Sequence, residues 1–170
     1  ITFNADESVN IRKYDLNQQT YLKLGSNILM HFTNITRSAD KILSIQKQDT
    51  QKKIDNLNKI AELVDVLDEN LEKNNFSILG VLLRTNWENK KKLANGITNP
   101  DIEEMVDLAL NNYADGCKIA GAGGGGFLIS YVLRNSHDHF RKAMDNYQEL
   151  PFMLYPYGSK IIFNINNTHF

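Results

Sequence analysis

The sequence predicts an α+β fold, with helices grouped against one face of a largely antiparallel sheet. Two observations carry this. From Arg37 to Asn75 the chain holds neither Gly nor Pro and repeats apolar residues at helical spacing. Short β-branched and aromatic runs bounded by turn residues flank the helical part, out of the strict strand–helix alternation of a parallel sheet. The tally is about four or five helices and five to seven short strands.

Residues 1–13 alternate apolar and polar around Asn4-Ala5-Asp6, a hairpin pattern. Asp15 to Lys23 reads as a short helix ended by Gly25, and Asn27 to Thr33 as a buried strand. The helical stretch then places Ile54, Leu57, Ala61, Val64, Leu67 and Leu71 on one face. The stripe is too short for a coiled coil and predicts an amphipathic core helix, with a break in the polar patch Gln46 to Lys53. Phe76 to Ala94 continues as helix to Gly96. Asn99-Pro100-Asp101 then supplies an N-cap, a proline at the first helical position and an acid near the positive end. Met105, Val106, Ala109, Leu110 and Tyr113 are the expected buried face, and Gly116 the stop. Cys117 to Ala120 and Phe127 to Leu133 read as strands, and Ser136 as the cap of a helix running to about Tyr147. Phe152 to Tyr155 and Lys160 to Ile165 are expected as strands around Pro156-Tyr157-Gly158.

Composition narrows the function. With 19 basic against 20 acidic residues the formal net charge is −1, without the electrostatic footprint of a nucleic-acid binder. No apolar run is long enough for a membrane-spanning helix. The lone Cys117 excludes an internal disulfide and a cysteine-cluster zinc site, and suits a reducing, cytoplasmic setting. The chain opens at Ile1 within an apparent strand, so it is expected to be a piece of something larger.

Half of the ten glycines fall in Gly121-Ala122-Gly123-Gly124-Gly125-Gly126. Ordering so much glycine costs backbone entropy; its use is a loop whose amides approach a ligand with no Cβ in the way. Successive inward N–H groups make a concavity suited to a phosphate or carboxylate. The string satisfies G-x-G-x-x-G, but a dinucleotide fold needs a helix next, and Phe127-Leu128-Ile129-Ser130-Tyr131-Val132 is strand-like. A P-loop also fails, because Lys118 precedes the glycines and no Lys-Ser or Lys-Thr follows. A hairpin turn with no ligand is the plain alternative, although two or three glycines would make one.

Cys117 to Phe127 resembles the third conserved motif of the GHMP kinases, a Lys-x-x-Gly-Ala-Gly-Gly-Gly-Gly type loop between two strands. Phe32 to Ala39, Asn86 to Leu93 and Gly96 to Ile102 are similar to segments of the D-glycero-D-manno-heptose phosphate kinase branch. The resemblance runs from near residue 1 to about Lys160 to Phe163. It implies a ferredoxin-like C-terminal domain with an antiparallel sheet and a helical layer over residues 1–170. It also implies transfer of the ATP γ-phosphoryl group, with Mg²⁺, to a sugar or sugar-phosphate hydroxyl. The family's principal ATP phosphate loop and its catalytic aspartate match no position here, so no catalytic or metal-binding residue is assigned. The missing N-terminal kinase domain becomes the expected partner, the chain alone is expected to be inactive and to hold ATP and Mg²⁺ weakly, and its uncovered surface to self-associate.

Gly121 to Gly126 form the expected phosphate loop. Thr33 to Ser38 joins a strand end to a helix start, where free amides welcome an anion, so Thr36 and Arg37 are candidate substrate contacts; a capped helix start with a solvated Arg37 is the plain alternative. Lys118 is placed to reach a phosphate or, equally, to face solvent or form a salt bridge. Lys90, Lys91 and Lys92 read as a solvated helix end, His31 as a packing residue, and His137 and His139 have the wrong spacing for a helical metal pair. The competing functions are a stand-alone α+β module for an anionic metabolite and a helical interaction domain using Ile54 to Leu71.

Overall fold

The computed structural model describes residues 1–36, 38–47, 50–155 and 157–159. Two antiparallel sheets are present. Strands β1 (Thr2–Phe3) and β2 (Val9–Asn10) form the expected N-terminal hairpin. Strands β3 (Ile28–Phe32), β4 (Ala114–Ile119) and β5 (Phe127–Val132) form a three-stranded sheet with β5 in the centre. The register pairs Phe32 with Phe127 at one end and Ile28 with Tyr131 at the other.

Six α-helices are found among the described residues, against the four or five expected. They are α1 (Gln18–Ser26), α2 (Ala39–Lys47), α3 (Thr50–Glu72), α4 (Ile78–Lys90), α5 (Pro100–Asn111) and α6 (His137–Ala143). Helix α1 starts later than expected, because the Asn17 side chain accepts the Thr20 N–H at 2.9 Å and caps it there; Gly25 lies inside the helix. Helix α5 begins as read, with Asn99 accepting the Ile102 N–H at 3.0 Å and Pro100 opening the first turn.

Helices α4 and α5 both pack against β4, and α3 lies on α4. The core joins Trp87 of α4, Ile102, Met105, Val106 and Ala109 of α5, Cys117 and Ile119 of β4, and Leu128 and Val132 of β5; Phe140 and Met144 close it. Glycine permits the tightest contact: a Cβ on Gly116 would run into the Gly80 carbonyl oxygen, so this helix and strand meet backbone to backbone.

Several expectations change. Gly116 does not stop α5; it lies in β4, and Tyr113, with φ of +76°, makes the left-handed turn instead, exposed rather than buried. No residue of α3 is fully buried. Ile54, Ala61 and Val64 of its stripe are exposed, whereas Leu57, Ile60, Leu63, Leu67 and Leu71 form the half-buried seam. Helix α6 is shorter than expected and follows a 3-10 turn, Arg134–Ser136, and Ser136 caps neither with its side chain. Phe152 to Tyr155 is not a strand. The pairing falls earlier, where Glu149 bridges His31, Phe32 donates its N–H to the Gln148 carbonyl and Leu150 donates to Met30, each at 2.8 Å. The bonded positions alternate, so the next pair would be Ile28 with Phe152, and no backbone bond joins those two among the described residues. The strand expected over Lys160 to Ile165 lies outside the described residues.

Candidate functional site

The glycine run is the connection between β4 and β5. The Ala120 N–H donates to the Phe127 carbonyl at 2.8 Å and closes its base. Within it Gly121, Gly123, Gly124, Gly125 and Gly126 all have positive φ. A side chain at Gly123 or Gly125 would also collide: a Cβ would sit 2.9 Å from the Ile97 carbonyl oxygen and 2.6 Å from that of Ile35. Gly121 and Gly126 face open space. The glycines therefore serve both backbone conformation and close approach, beyond what a plain turn requires.

Three distant segments hold the loop. Gly126 donates its N–H to the Ile35 carbonyl at 2.9 Å, and its own carbonyl accepts the Thr33 N–H at 2.9 Å and the Thr33 hydroxyl at 3.0 Å. Gly124 donates to the Ile97 carbonyl ahead of α5. The Lys90 ammonium at the end of α4 donates to the Gly121 carbonyl. Two loop amides are thereby spent. The N–H groups of Gly121, Ala122, Gly123 and Gly125 form no hydrogen bond among the described residues.

The segment Thr33 to Thr36 comes to the glycines through the bonds of Thr33 and Ile35 to Gly126. Thr36 is exposed and directly follows Ile35, the residue bonded to Gly126. Arg37 lies outside the described residues. Lys118 reaches across to α4, where its ammonium donates to Asn86 Oδ1 at 2.7 Å. It is half-buried, and burial holds its pKa below the ordinary lysine value with no offsetting charge. A half-buried ammonium whose bonded partner is a neutral amide leaves a positive charge for an anion to answer.

Lys90 is the residue that sequence reasoning missed. Its only signal is that it follows Asn86 by four positions, which puts the two on one helix face. Lys91 instead forms ion pairs with Glu88 at 2.9 Å and Glu103 at 3.1 Å, so it ties α4 to α5. His31 is a core residue: it is 1% exposed, packs edge-on against Phe140, and its Nδ1 has no partner. Burial pushes the Cys117 thiol up to about 12, which removes it as a nucleophile.

The glycine loop joins two strands and leads into no helix, which separates it from a dinucleotide fold. Residues 67–150 match the family model described as GHMP kinases C terminal. The chain carries the C-terminal domain of the GHMP kinase family. It is 30% identical over 124 residues to the D-glycero-alpha-D-manno-heptose 7-phosphate kinase of Campylobacter jejuni, covering 72% of this chain and 37% of that enzyme. It is 36% identical over 105 residues to the L-fucokinase/L-fucose-1-P guanylyltransferase of Bacteroides fragilis, covering 59% of this chain and 11% of that enzyme. The chain thus spans little more than a third of one curated relative and about a tenth of the other. The fold is shared with Leishmania major mevalonate kinase, at a TM-score of 0.64 and 19% identity over 70% of this chain and 37% of that one. It is shared as well with a D-glycero-D-manno-heptose 1-phosphate kinase from Bacteroides thetaiotaomicron, at a TM-score of 0.62 and 21% identity over 89% of this chain and 40% of that one.

Proposed function

We propose that this chain is the C-terminal half of an ATP-dependent sugar kinase acting on a heptose phosphate or a similar sugar. Its glycine loop closes the site against a partner domain that carries the principal ATP phosphate loop and the proton acceptor. The observation that carries this reading is the set of four uncommitted amides at Gly121, Ala122, Gly123 and Gly125, with the unanswered charge of Lys118 one strand end away. N–H groups and an ammonium are the donors that phosphate oxygens take. Thr36 and Arg37 directly follow in sequence Ile35, whose carbonyl accepts the Gly126 N–H, and are assigned to the sugar phosphate.

Phosphoryl transfer needs positioning and charge stabilisation more than covalent chemistry from the protein. On this reading the loop amides meet the phosphoryl oxygens without reorganising, because Ile35, Ile97 and Lys90 already hold the backbone. ATP supplies the transferred group. The loop's donor set fits its phosphate end but not Mg²⁺, which takes oxygen ligands; among the described residues no cluster of three acidic, histidine or cysteine side chains gathers, and no residue here is assigned to the metal.

Lys118→Met tests the assignment. In the enzyme joined to its N-terminal domain, losing a charge-assisted bond of roughly 1.5–3 kcal/mol should lower kcat/KM by about tenfold to a hundredfold. The same substitution should leave the melting temperature of this chain unchanged or raised, since it removes an uncompensated half-buried charge. A purely structural lysine would show the reverse: lost stability with kcat/KM intact. By itself the chain should turn over no ATP above a contaminant control.

A further inference from the structure

A cavity of about 520 Å³ lies at the other end of β3 from the glycine loop, between the sheet edge, α6 and the chain after Glu149. Its lining includes Ile28, Arg134, His137, Asp138, Arg141 and Phe152. The cavity exists because the outer ladder of β3 stops. Residues 30 and 32 bond outward to Leu150 and Gln148, while Asn27 bonds inward to Val132. By strand alternation the N–H and C=O of Ile28 also face outward, where no backbone bond from the chain after Leu150 meets them among the described residues.

The polar groups here are unevenly satisfied. Arg141 is committed to Glu149 by paired bonds of 2.7 and 2.8 Å. Arg134 and Asp138 are four positions apart, both exposed, and neither makes an ion pair among the described residues. Asp138 adds only a longer-range pull on Arg141. His137, 8% exposed, sits between them. The carbonyl of Val132, 3.1 Å from its Nε2, can only accept, so Nε2 carries a proton, and in the neutral ring Nδ1 is the acceptor left on an imidazole that lines the cavity.

We infer that this cavity binds a small zwitterion with an apolar body, of the α-amino acid class. Its carboxylate pairs with Arg134, its ammonium with Asp138 and His137 Nδ1, and its side chain lies on Ile28 and Phe152. A ligand bringing both charges answers both unpaired groups, whereas a bare anion is repelled by Asp138 and a bare cation by Arg134. The site is separate from the glycine loop and does not depend on the kinase reading.

The test is a titration of the ¹⁵N-labelled chain with L-phenylalanine, 3-phenylpropionate and 2-phenylethylamine, followed by amide shifts. The zwitterion should shift Ile28, Arg134 and His137 with a dissociation constant of about 1 mM or tighter, and the singly charged probes at least tenfold more weakly. Arg134→Gln, at an exposed position, should weaken L-phenylalanine at least tenfold while leaving the fold intact; His137→Phe should do the same if it folds. Equal binding of the three probes, shifts confined to other residues, or an unchanged affinity in Arg134→Gln would overturn the proposal.

Discussion

Residues of the glycine loop differ in what they can tolerate, although the sequence writes them alike. Gly121 has φ of +68° with open space around it, so Gly121→Ala should cost about the 1–2 kcal/mol of a left-handed L-residue. Gly125→Ala should cost more, because its Cβ would press on the Ile35 carbonyl oxygen and break the bond that oxygen accepts from Gly126. Urea unfolding of the two variants would separate them; equal losses would mean that Ile35 yields freely. The lysines divide in the same way. Lys90, Lys91 and Lys118 are equivalent in charge, yet one anchors a loop carbonyl, one joins two helices through acids, and one is left against a neutral amide.

At the scale of elements, α4 positions the site. Its contact with β4 depends on Gly80 and Gly116, and it delivers Asn86 to Lys118 and Lys90 to Gly121. Gly116→Ala should therefore destabilise by about 1–3 kcal/mol through overpacking, and should also loosen the loop. Amide exchange at Ala122 would report this second effect, and unchanged exchange would separate the helix contact from the loop. The start of α5 was readable because Asn99, Pro100 and Asp101 act within a single turn. The buried face of α3 was not. Ile54, Ala61 and Val64 suit a helical stripe as well as Ile60 and Leu63 do, and only the packing on α4 chooses between them.

Over the whole molecule, acid should loosen the fold at the junction between β3 and the chain around Glu149. Burial lowers the pKa of His31 from its ordinary 6.5, with Glu149 opposing and Arg141 reinforcing that shift. The unfolded imidazole protonates first as pH falls, so stability should decline below about pH 6.5. The Arg141 hydrogen bonds hold the Glu149 carboxyl below its ordinary value, so its contribution is present above the carboxylate range and lost on further acidification. Urea midpoints measured from pH 7 down to about 3 should show both declines, the Glu149 one below the ordinary carboxylate value of 4.5, and His31→Leu should remove the upper one. Exposed Ile1, Phe3 and Val64 leave an apolar surface on the hairpin and α3. Self-association that increases with concentration should appear in sedimentation velocity, and Phe3→Ser with Val64→Ser should suppress it. The order of helices and strands as far as α6, the capped start of α5 and the glycine connection between β4 and β5 were all legible in the linear chain, since periodicity, capping and turn chemistry act over a few neighbouring residues. Which loop amides stay free, which lysine lacks a counter-charge and which face of α3 is buried depend on partners dozens of residues away, such as Ile35 with Gly126 or Asn86 with Lys118, and only packing brings those together.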